Sequence, residues 1–549
     1  MSTDRSKGWA EESVSATQPG WVLPSENPHS SGETSLGAAR QEEFGKPAPR
    51  PPQLPPLKPS ANHTVCVEES AVRLGKVVPV QTANAAEFWK SDYVKMPFSN
   101  HSRQTRPTYF MHRVEVSRWM IIKAALNKDR FETSKDLENA IKEYNQKYAH
   151  LWRFSGLHKH FDQLSDGERQ YLLGTLLPGM AKLALQLPKL CSKPIPLLKQ
   201  SKAHAITMSQ EQIACLLANA FFCTFPHRNS TQPNSEYRSF PDINFSRLFA
   251  NFSQRMSEKL KTIFCYFSKV TENMPKGLVT FQRCCLNDSV VWRRSPCKLT
   301  QLRVSSEGRI EEEEQGELQV DFASPMVGGG VLGSGLVQEE IRFLINPELI
   351  VARLFTEKLA DNECLVITGA QRYSEYGGYS DSYRWLRYHN DETPRDSWLR
   401  LCTEIVAIDA LNFRNPMDQY KICYLDRELN KAYCGFSTVD RVVLARHRPA
   451  IATGNWGCGA FKGDAKLKAL IQLMAAAQAQ RDVVYFTFGD TALMRSISEM
   501  HQVLQRSNVT VGQLYNVLAK YSRTALGVSM GSDLYEFIRS NVACPKGRI

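Results

Sequence analysis

From about residue 275 onward, apolar residues fall into short runs separated by segments where they recur every three or four positions. The runs Leu278–Phe281, Leu318–Phe322, Cys364–Thr368, Glu404–Leu411, Ala450–Ala452 and Val483–Phe488 predict strands. The periodic segments Gln338–Phe355, Asp464–Ala479, Leu493–Leu504 and Val511–Ser522 predict helices. Strands alternating with helices predict an α/β unit, a mixed sheet with helices on both faces. Ligands of such units sit beyond the carboxyl ends of the strands.

Between about 76 and 270 the periodicity is helical. Ser209 to Gln212 reads as a capping box, after which Ile213, Leu216, Leu217 and Ala220 line one face. Further helices are expected at 116–127, 135–149 and 167–187. Residues 1–75 are rich in Ser, Gly, Glu and Pro and have no apolar period, so a disordered tail is expected. Within it, Pro47 to Pro59 holds seven prolines in thirteen residues. That density predicts extended polyproline II, serving either as a stiff linker or as a ligand for an SH3-type partner. The expected division is a tail over 1–75, a helical accessory domain over 76–270 and an α/β catalytic domain over 271–549.

Composition narrows the class. A chain of 549 residues, 42% hydrophobic and 23% charged, suits a soluble globular protein of two or three units. No window approaches the apolar length of a membrane span. The start, MSTDRSKGWAEE, is polar, so no secretory signal is expected. The 14 cysteines then read as reduced thiols, and the lack of a C-x-x-C pair argues against a zinc ribbon. No metal or cofactor is expected. A net charge of +12 suits a polyanionic partner without choosing among nucleic acid, anionic lipid and another phosphate polymer.

The candidate chemistry lies between Asp321 and Glu340, DFASPMVGGGVLGSGLVQEE. Three consecutive glycines, Gly328, Gly329 and Gly330, read as a loop whose backbone N–H groups approach a ligand. The loop lacks the G-K-[ST] ending of a P-loop, and its formal G-x-G-x-x-G match is weak. A second loop runs from Gly454 to Asp464 and precedes a helix that Asp464 would cap. Gly457 and Gly459 there suit an anion nest at the helix's positive end. Two such loops on one sheet fit a diphosphate that bridges two sugars. Glu339 and Glu340 are adjacent on a helix and point about 100° apart, so they divide the work rather than flank one bond. Tyr373, Tyr376, Tyr379, Phe461, Phe486 and Phe488 are candidates for stacking on adenine or ribose, and each is equally a candidate for the core.

The segment GGGVLGSGLVQEE resembles the GGG-x(6–8)-QEE signature of poly(ADP-ribose) glycohydrolases, whose catalytic unit is a macrodomain. The similarity runs from about 85 to 540 and includes PLLKQ, MSQEQIACLLANAFFCTFP, FPDINF, ELNKAYCGF, ATGNWGCGAF and VVYFTFGD. The resemblance implies a macrodomain-like mixed sheet flanked by helices, behind an all-helical accessory domain. It implies hydrolysis of the 1″–2′ ribose–ribose bonds of poly(ADP-ribose), free or on modified proteins. Glu340 would be the acid–base residue, Glu339 would orient the ribose hydroxyls, and Asp321 would complete the acidic set. Gly328, Gly329 and Gly330 would wrap the distal ribose and phosphate. Gly457, Cys458 and Gly459 would hold the diphosphate. Ile310 and Glu311 would grip the adenine edge, Phe488 would stack on adenine, and Phe461 and Tyr379 would close over the ligand beside Val337 and Gln338.

Ser324 departs from the family, which usually carries Asn after Asp-Phe-Ala. The loss of an amide donor favours one rival, a weak or inactive ADP-ribose reader, which the intact Gln338-Glu339-Glu340 opposes; a second rival, a macrodomain-type hydrolase of mono-ADP-ribosylated protein, is opposed by the full QEE signature and the large helical domain. The resemblance further implies a monomer in nucleus and cytoplasm with no membrane partner.

Overall fold

In the computed structural model, nine strands form one mixed sheet among the described residues, which are 54, 57–107, 113–230, 232–312, 316–437, 448–525 and 533–542. From one edge the order is His63–Val65, His204–Ser209, Leu278–Cys285, Glu363–Thr368, Glu404–Asp409, Leu318–Ala323, Ile451–Gly454, Val483–Phe486 and Leu302–Ser305. The last five are mutually parallel, while Leu278–Cys285 and Glu363–Thr368 run antiparallel to their neighbours. Both candidate glycine loops leave neighbouring parallel strands, since Leu318 pairs with Ile451 and Gln319 with Ala452.

Alternation along the strands splits the core between two faces. Leu365, Ile367, Ile405 and Ala407 pack toward the amino-terminal helices and the helix Gln338–Ile345. Cys364, Val366, Val406 and Ile408 pack toward Ile422–Ser437 and Ala465–Ala479. The result is three layers with the sheet between two helical sets.

The predicted strands in the carboxyl-terminal half are present with shifted ends: Ile451–Gly454 starts one residue late, and Val483–Phe486 stops before Phe488. The predicted helix Gln338–Phe355 breaks after Ile345, where Pro347 cannot continue it, and resumes through Pro347–Val351 and Ala352–Phe355. Short apolar runs concealed the strands His204–Ser209 and Leu302–Ser305 from the sequence. The helices Gln254–Glu272 and Ile422–Ser437 were also not foreseen.

The expected tail needs a correction at its end. Leu57, Val65, Val67 and Val72 are buried with Leu278 in a small core, and His63–Val65 pairs in parallel with His204–Ser209. These apolar residues are too few to register as periodicity, and long-range pairing fixes them instead. The rest of the tail, including most of Pro47 to Pro59, lies outside the described residues. The amino-terminal half is mainly helical but also supplies two strands at one side of the sheet, His63–Val65 at its edge and His204–Ser209 next to it, and a hairpin, Arg103–Pro107 with Arg113–Ser117. Among the described residues no helix is long and apolar enough to cross a membrane.

Candidate active site

Four segments of the candidate site follow the carboxyl ends of parallel strands, the position expected for an α/β ligand site, while Tyr379 follows Ser374–Gly377 of a separate antiparallel pair. Ser324 to Val337 follows Ala323. Asn455 to Asp464 follows Gly454. Thr487 and Phe488 follow Phe486, and Ile310 and Glu311 come shortly after Ser305.

The helix Gln338–Ile345 brings the acidic pair under the first glycine loop. Gln338 docks its side chain on the strand, accepting from Phe322 N–H (2.8 Å) and donating to the Val320 carbonyl (3.2 Å). Glu339 and Glu340 are both buried and each grips the loop through two backbone N–H groups. Glu339 accepts from Ser324 (2.8 Å) and Gly328 (2.6 Å). Glu340 accepts from Gly330 (2.7 Å) and from Val337 (2.9 Å), capping its own helix with the second bond. The pair thus divides the loop between its two members.

The glycines are required by this grip, which corrects the view that they serve only a ligand. A Cβ on Gly329 would stand 2.4 Å from Glu340 Oε1 and 2.6 Å from Glu339 Oε2. A Cβ on Gly335 would stand 2.5 Å from Glu340 Oε1, and one on Gly328 would strike the Phe343 ring at 2.8 Å. Gly328 also has φ +80°, a conformation glycine enters without strain. The N–H groups of Gly328 and Gly330 are spent on the carboxylates, and that of Gly329 on the Met326 carbonyl.

Two buried cations hold the other side of the loop. Lys259 Nζ donates to the carbonyls of Gly330 (3.0 Å), Val331 (3.0 Å), Gly333 (2.9 Å) and Gly335. Arg353 Nη1 donates to Val327 (2.7 Å) and Gly329 (3.1 Å). Burial pulls the Lys259 ammonium down to about 7, with Glu340 opposing the fall. Neither cation was singled out from the sequence. Lys259 sits three residues after Met256 and four before Ile263, and a lysine inside an apolar stripe was the available signal.

Asp321 lies on the central strand opposite Ala407, and both its oxygens are buried without a hydrogen-bond partner. Burial pushes its carboxyl up to about 8; Arg342 opposes the shift and Glu340 adds to it. Burial, then Asp321 and Glu340, raise Glu339 well above the usual carboxylate range. Asp321 and Glu339 are thus both biased by burial toward the neutral acid. Ser324 is half-buried; its N–H serves Glu339, and its hydroxyl accepts weakly from Met326 N–H (3.3 Å).

In the second loop the helix cap is as the sequence suggested. Asp464 caps Ala465–Ala479 by accepting from Leu467 N–H (2.7 Å). Gly457 has φ +75°, and a Cβ there would strike Ala410 at 2.6 Å. Gly459 faces open space, while the Cys458 N–H is spent on the Asn455 carbonyl (3.1 Å). Burial raises the Cys458 thiol to about 12, which holds it protonated at neutral pH.

The aromatic candidates now separate. Phe486 and Tyr373 are core, and the Tyr373 hydroxyl donates to Glu348 (2.7 Å). Phe488 is 46% exposed at the strand end with φ +52°, its ring stacked on Phe486. Tyr379 is exposed, with its hydroxyl against the Gln338 backbone N–H. Val337 is exposed beside it, and Phe461 is half-buried. Ile310 is buried with Ala452, Val484 and Phe486, while Glu311 accepts from the Tyr376 hydroxyl (2.5 Å). Among the described residues, no group of three or more His, Cys, Asp or Glu could hold a metal ion.

Comparison with known proteins agrees with this geometry. The family model described as the macro domain fold of poly(ADP-ribose) glycohydrolase matches residues 289–495, and the model of that family's helical domain matches 164–283. Poly(ADP-ribose) glycohydrolase 1 of Arabidopsis thaliana is 34% identical over 451 residues, covering 67% of this chain and 81% of that protein. Probable poly(ADP-ribose) glycohydrolase 2 of the same plant is 32% identical over 434 residues, with the same coverage of each chain. Poly(ADP-ribose) glycohydrolase 2 of Caenorhabditis elegans is 34% identical over 330 residues, covering 57% of this chain and 64% of that protein. The six strands of the large sheet from Leu302–Ser305 to Val483–Phe486 and both glycine loops therefore lie within the macro domain match, and the chain belongs to the poly(ADP-ribose) glycohydrolase family.

Proposed function

We propose that this chain hydrolyses the 1″–2′ ribose–ribose bonds of poly(ADP-ribose), releasing ADP-ribose, with Glu340 as the acid–base residue. The observation that carries the reading is the convergence of Glu339 and Glu340 on Gly329 from beneath a loop at a strand's carboxyl end. A ribose resting on that loop meets a carboxyl group at its edge. Glu340 gives its proton to the departing 2′ oxygen as the C1″–O bond breaks and positive charge develops on the ring. Water then adds to C1″ and returns a proton to Glu340. The products are ADP-ribose with a free 1″ hydroxyl and a polymer one unit shorter with a free 2′ hydroxyl.

Glu339, pinned by Ser324 and Gly328, orients the ribose hydroxyls. Asp321, kept neutral by burial, adds no full negative charge beside Glu340. The capped helix Ala465–Ala479 directs its positive end toward the diphosphate, and the exposed Phe488 ring gives adenine a face. A net charge of +12 suits a substrate with two negative charges per unit.

The test incubates wild type and Glu340→Gln with auto-modified poly(ADP-ribose) polymerase and follows free ADP-ribose. Wild type releases it, and the variant is slower by at least ~10²–10⁴-fold while still binding ADP-ribose. Near-wild-type turnover by the variant removes Glu340 from its role. No release by wild type, with ADP-ribose binding intact, makes the chain a reader.

A further inference from the structure

Of the four backbone N–H groups that donate to the carboxylates, those of Gly328 and Gly330 belong to the two peptides that Arg353 holds. The Val327–Gly328 peptide gives its carbonyl to Arg353 Nη1 and its N–H to Glu339. The Gly329–Gly330 peptide gives its carbonyl to Arg353 Nη1 and its N–H to Glu340. Each peptide plane is therefore clamped between one guanidinium nitrogen and one carboxylate. A peptide dipole aligned between a cation and an anion is stabilised at both ends, and burial strengthens both contacts. Arg353 is itself fixed, because its Nε donates to the Asp242 carbonyl (2.7 Å) and its own carbonyl accepts from Arg228.

Lys259 extends the clamp. Its ammonium holds four further carbonyls of the loop, between Gly330 and Gly335, from a helix on the amino-terminal side. Such a lysine is expensive to bury, and its carbonyl partners repay that cost only while the loop keeps this shape.

We infer that Arg353, assisted by Lys259, is a positioning residue of the reaction that fixes the two carboxylates through the Val327–Gly328 and Gly329–Gly330 peptides. The Arg353 side chain donates to the backbone carbonyls of Val327, Gly329 and Asp242. It aims the N–H groups, and these hold Glu339 and Glu340 in place. The inference rests on the hydrolase reading only for its kinetic consequence; the clamp itself is tested without turnover.

Arg353→Met removes the donors at similar volume, and Arg353→Lys restores a cation able to reach both carbonyls. Arg353→Met is expected to lower kcat about 10²-fold, the usual effect of misplacing catalytic groups by about an ångström. KM should stay within about threefold, since the lost interaction favours the transition state. Arg353→Lys should recover roughly tenfold of the loss, and a variant that is only less stable would not split the constants this way. Independently of activity, amide exchange in peptides covering 324–337 should speed up in Arg353→Met and less so in Arg353→Lys. Unchanged exchange in folded Arg353→Met overturns the inference, even if the wild type proves to be a reader. Equal kinetics of the Lys and Met variants overturn it too. If Arg353→Met does not fold, Lys259→Ala with added propylammonium gives the decision. Its loop exchange should slow as the ammonium refills the site, and no response overturns the inference.

Discussion

Replacing Gly329 with alanine separates the chemistry from the fold. The new Cβ would lie 2.4 Å from Glu340 Oε1 and 2.6 Å from Glu339 Oε2. Ordinary carbon contacts begin near about 3.5 Å, so each carboxylate must retreat by roughly an ångström. The yielding atoms are the far ends of flexible side chains, so the fold absorbs the clash cheaply. The backbone cost comes from φ +44°, near the left-handed region, and is about 1–2 kcal/mol. The chemical cost is larger, because a shift of about 1 Å in a catalytic group lowers rate by ~10²-fold. Gly329→Ala should thus melt only a few degrees below wild type while releasing ADP-ribose ~10²-fold more slowly. Gly333 is the internal control: a Cβ there meets only the Gly330 carbonyl, at 3.7 Å, and Gly333→Ala should keep near-wild-type turnover. The assay is steady-state release from auto-modified polymerase beside a thermal melt of each variant. If Gly329→Ala and Gly333→Ala turn over alike, the close approach of loop and carboxylates does not govern the rate, and the reasoning fails.

Three further outcomes follow from the same geometry. Asp321 has a folded pKa of about 8 against an ordinary 3.8, so its contribution is fully present below pH 4 and is lost as pH rises through 8. Wild type should lose stability over that window by up to about 1.4 kcal/mol per pH unit more than Asp321→Asn, read by chemical denaturation at pH 5 and 8; parallel curves would contradict this. Phe486→Ala should cost about 3–5 kcal/mol as a core truncation, whereas Phe488→Ala should leave the melt almost unchanged and weaken ADP-ribose binding measured by calorimetry. Glu339→Gln replaces an acceptor of two N–H bonds with an amide that satisfies one, so kcat should fall ~10²-fold or more with the melt near wild type, and unaffected turnover would count against its orienting role.

What could be read from the sequence follows the range of the interactions. Asp321 to Glu340 was legible because the strand, the glycines and both carboxylates lie within twenty consecutive residues, and periodicity placed the glutamates at a helix start. The meaning of the glycines was only half legible. Their freedom suggested a ligand cradle, whereas Gly328 and Gly330 spend their N–H groups on the protein's own carboxylates. Spacing along the chain does not say whether a loop faces a ligand or a side chain folding back beneath it. Lys259 was hidden for a different reason. It lies more than sixty residues before the loop, on a helix the sequence did not disclose, and periodicity carries no information about what a buried polar group meets. Phe486 and Phe488 were indistinguishable as residue types, and only the strand's end at Phe486 sends one into the core and the other to the surface.

These hidden contacts change what the amino-terminal half is for. It completes the sheet edge with His63–Val65 and His204–Ser209 and shares one core with Val279, Phe281, Leu365 and Ile367. It also supplies Lys259 to the loop carbonyls and the Asp242 carbonyl that steadies Arg353. A macro domain deprived of it would bare the edge of Leu278–Cys285, lose an apolar face and release one side of the glycine loop. The exposed Phe488 ring, proposed above as the face for adenine, and the capped helix at Asp464 use neither contact, because both lie on the far strands of the sheet. On the proposed roles, ADP-ribose recognition and bond cleavage draw on different parts of the molecule. Damage to the contact between helical domain and loop should therefore abolish hydrolysis before it abolishes binding.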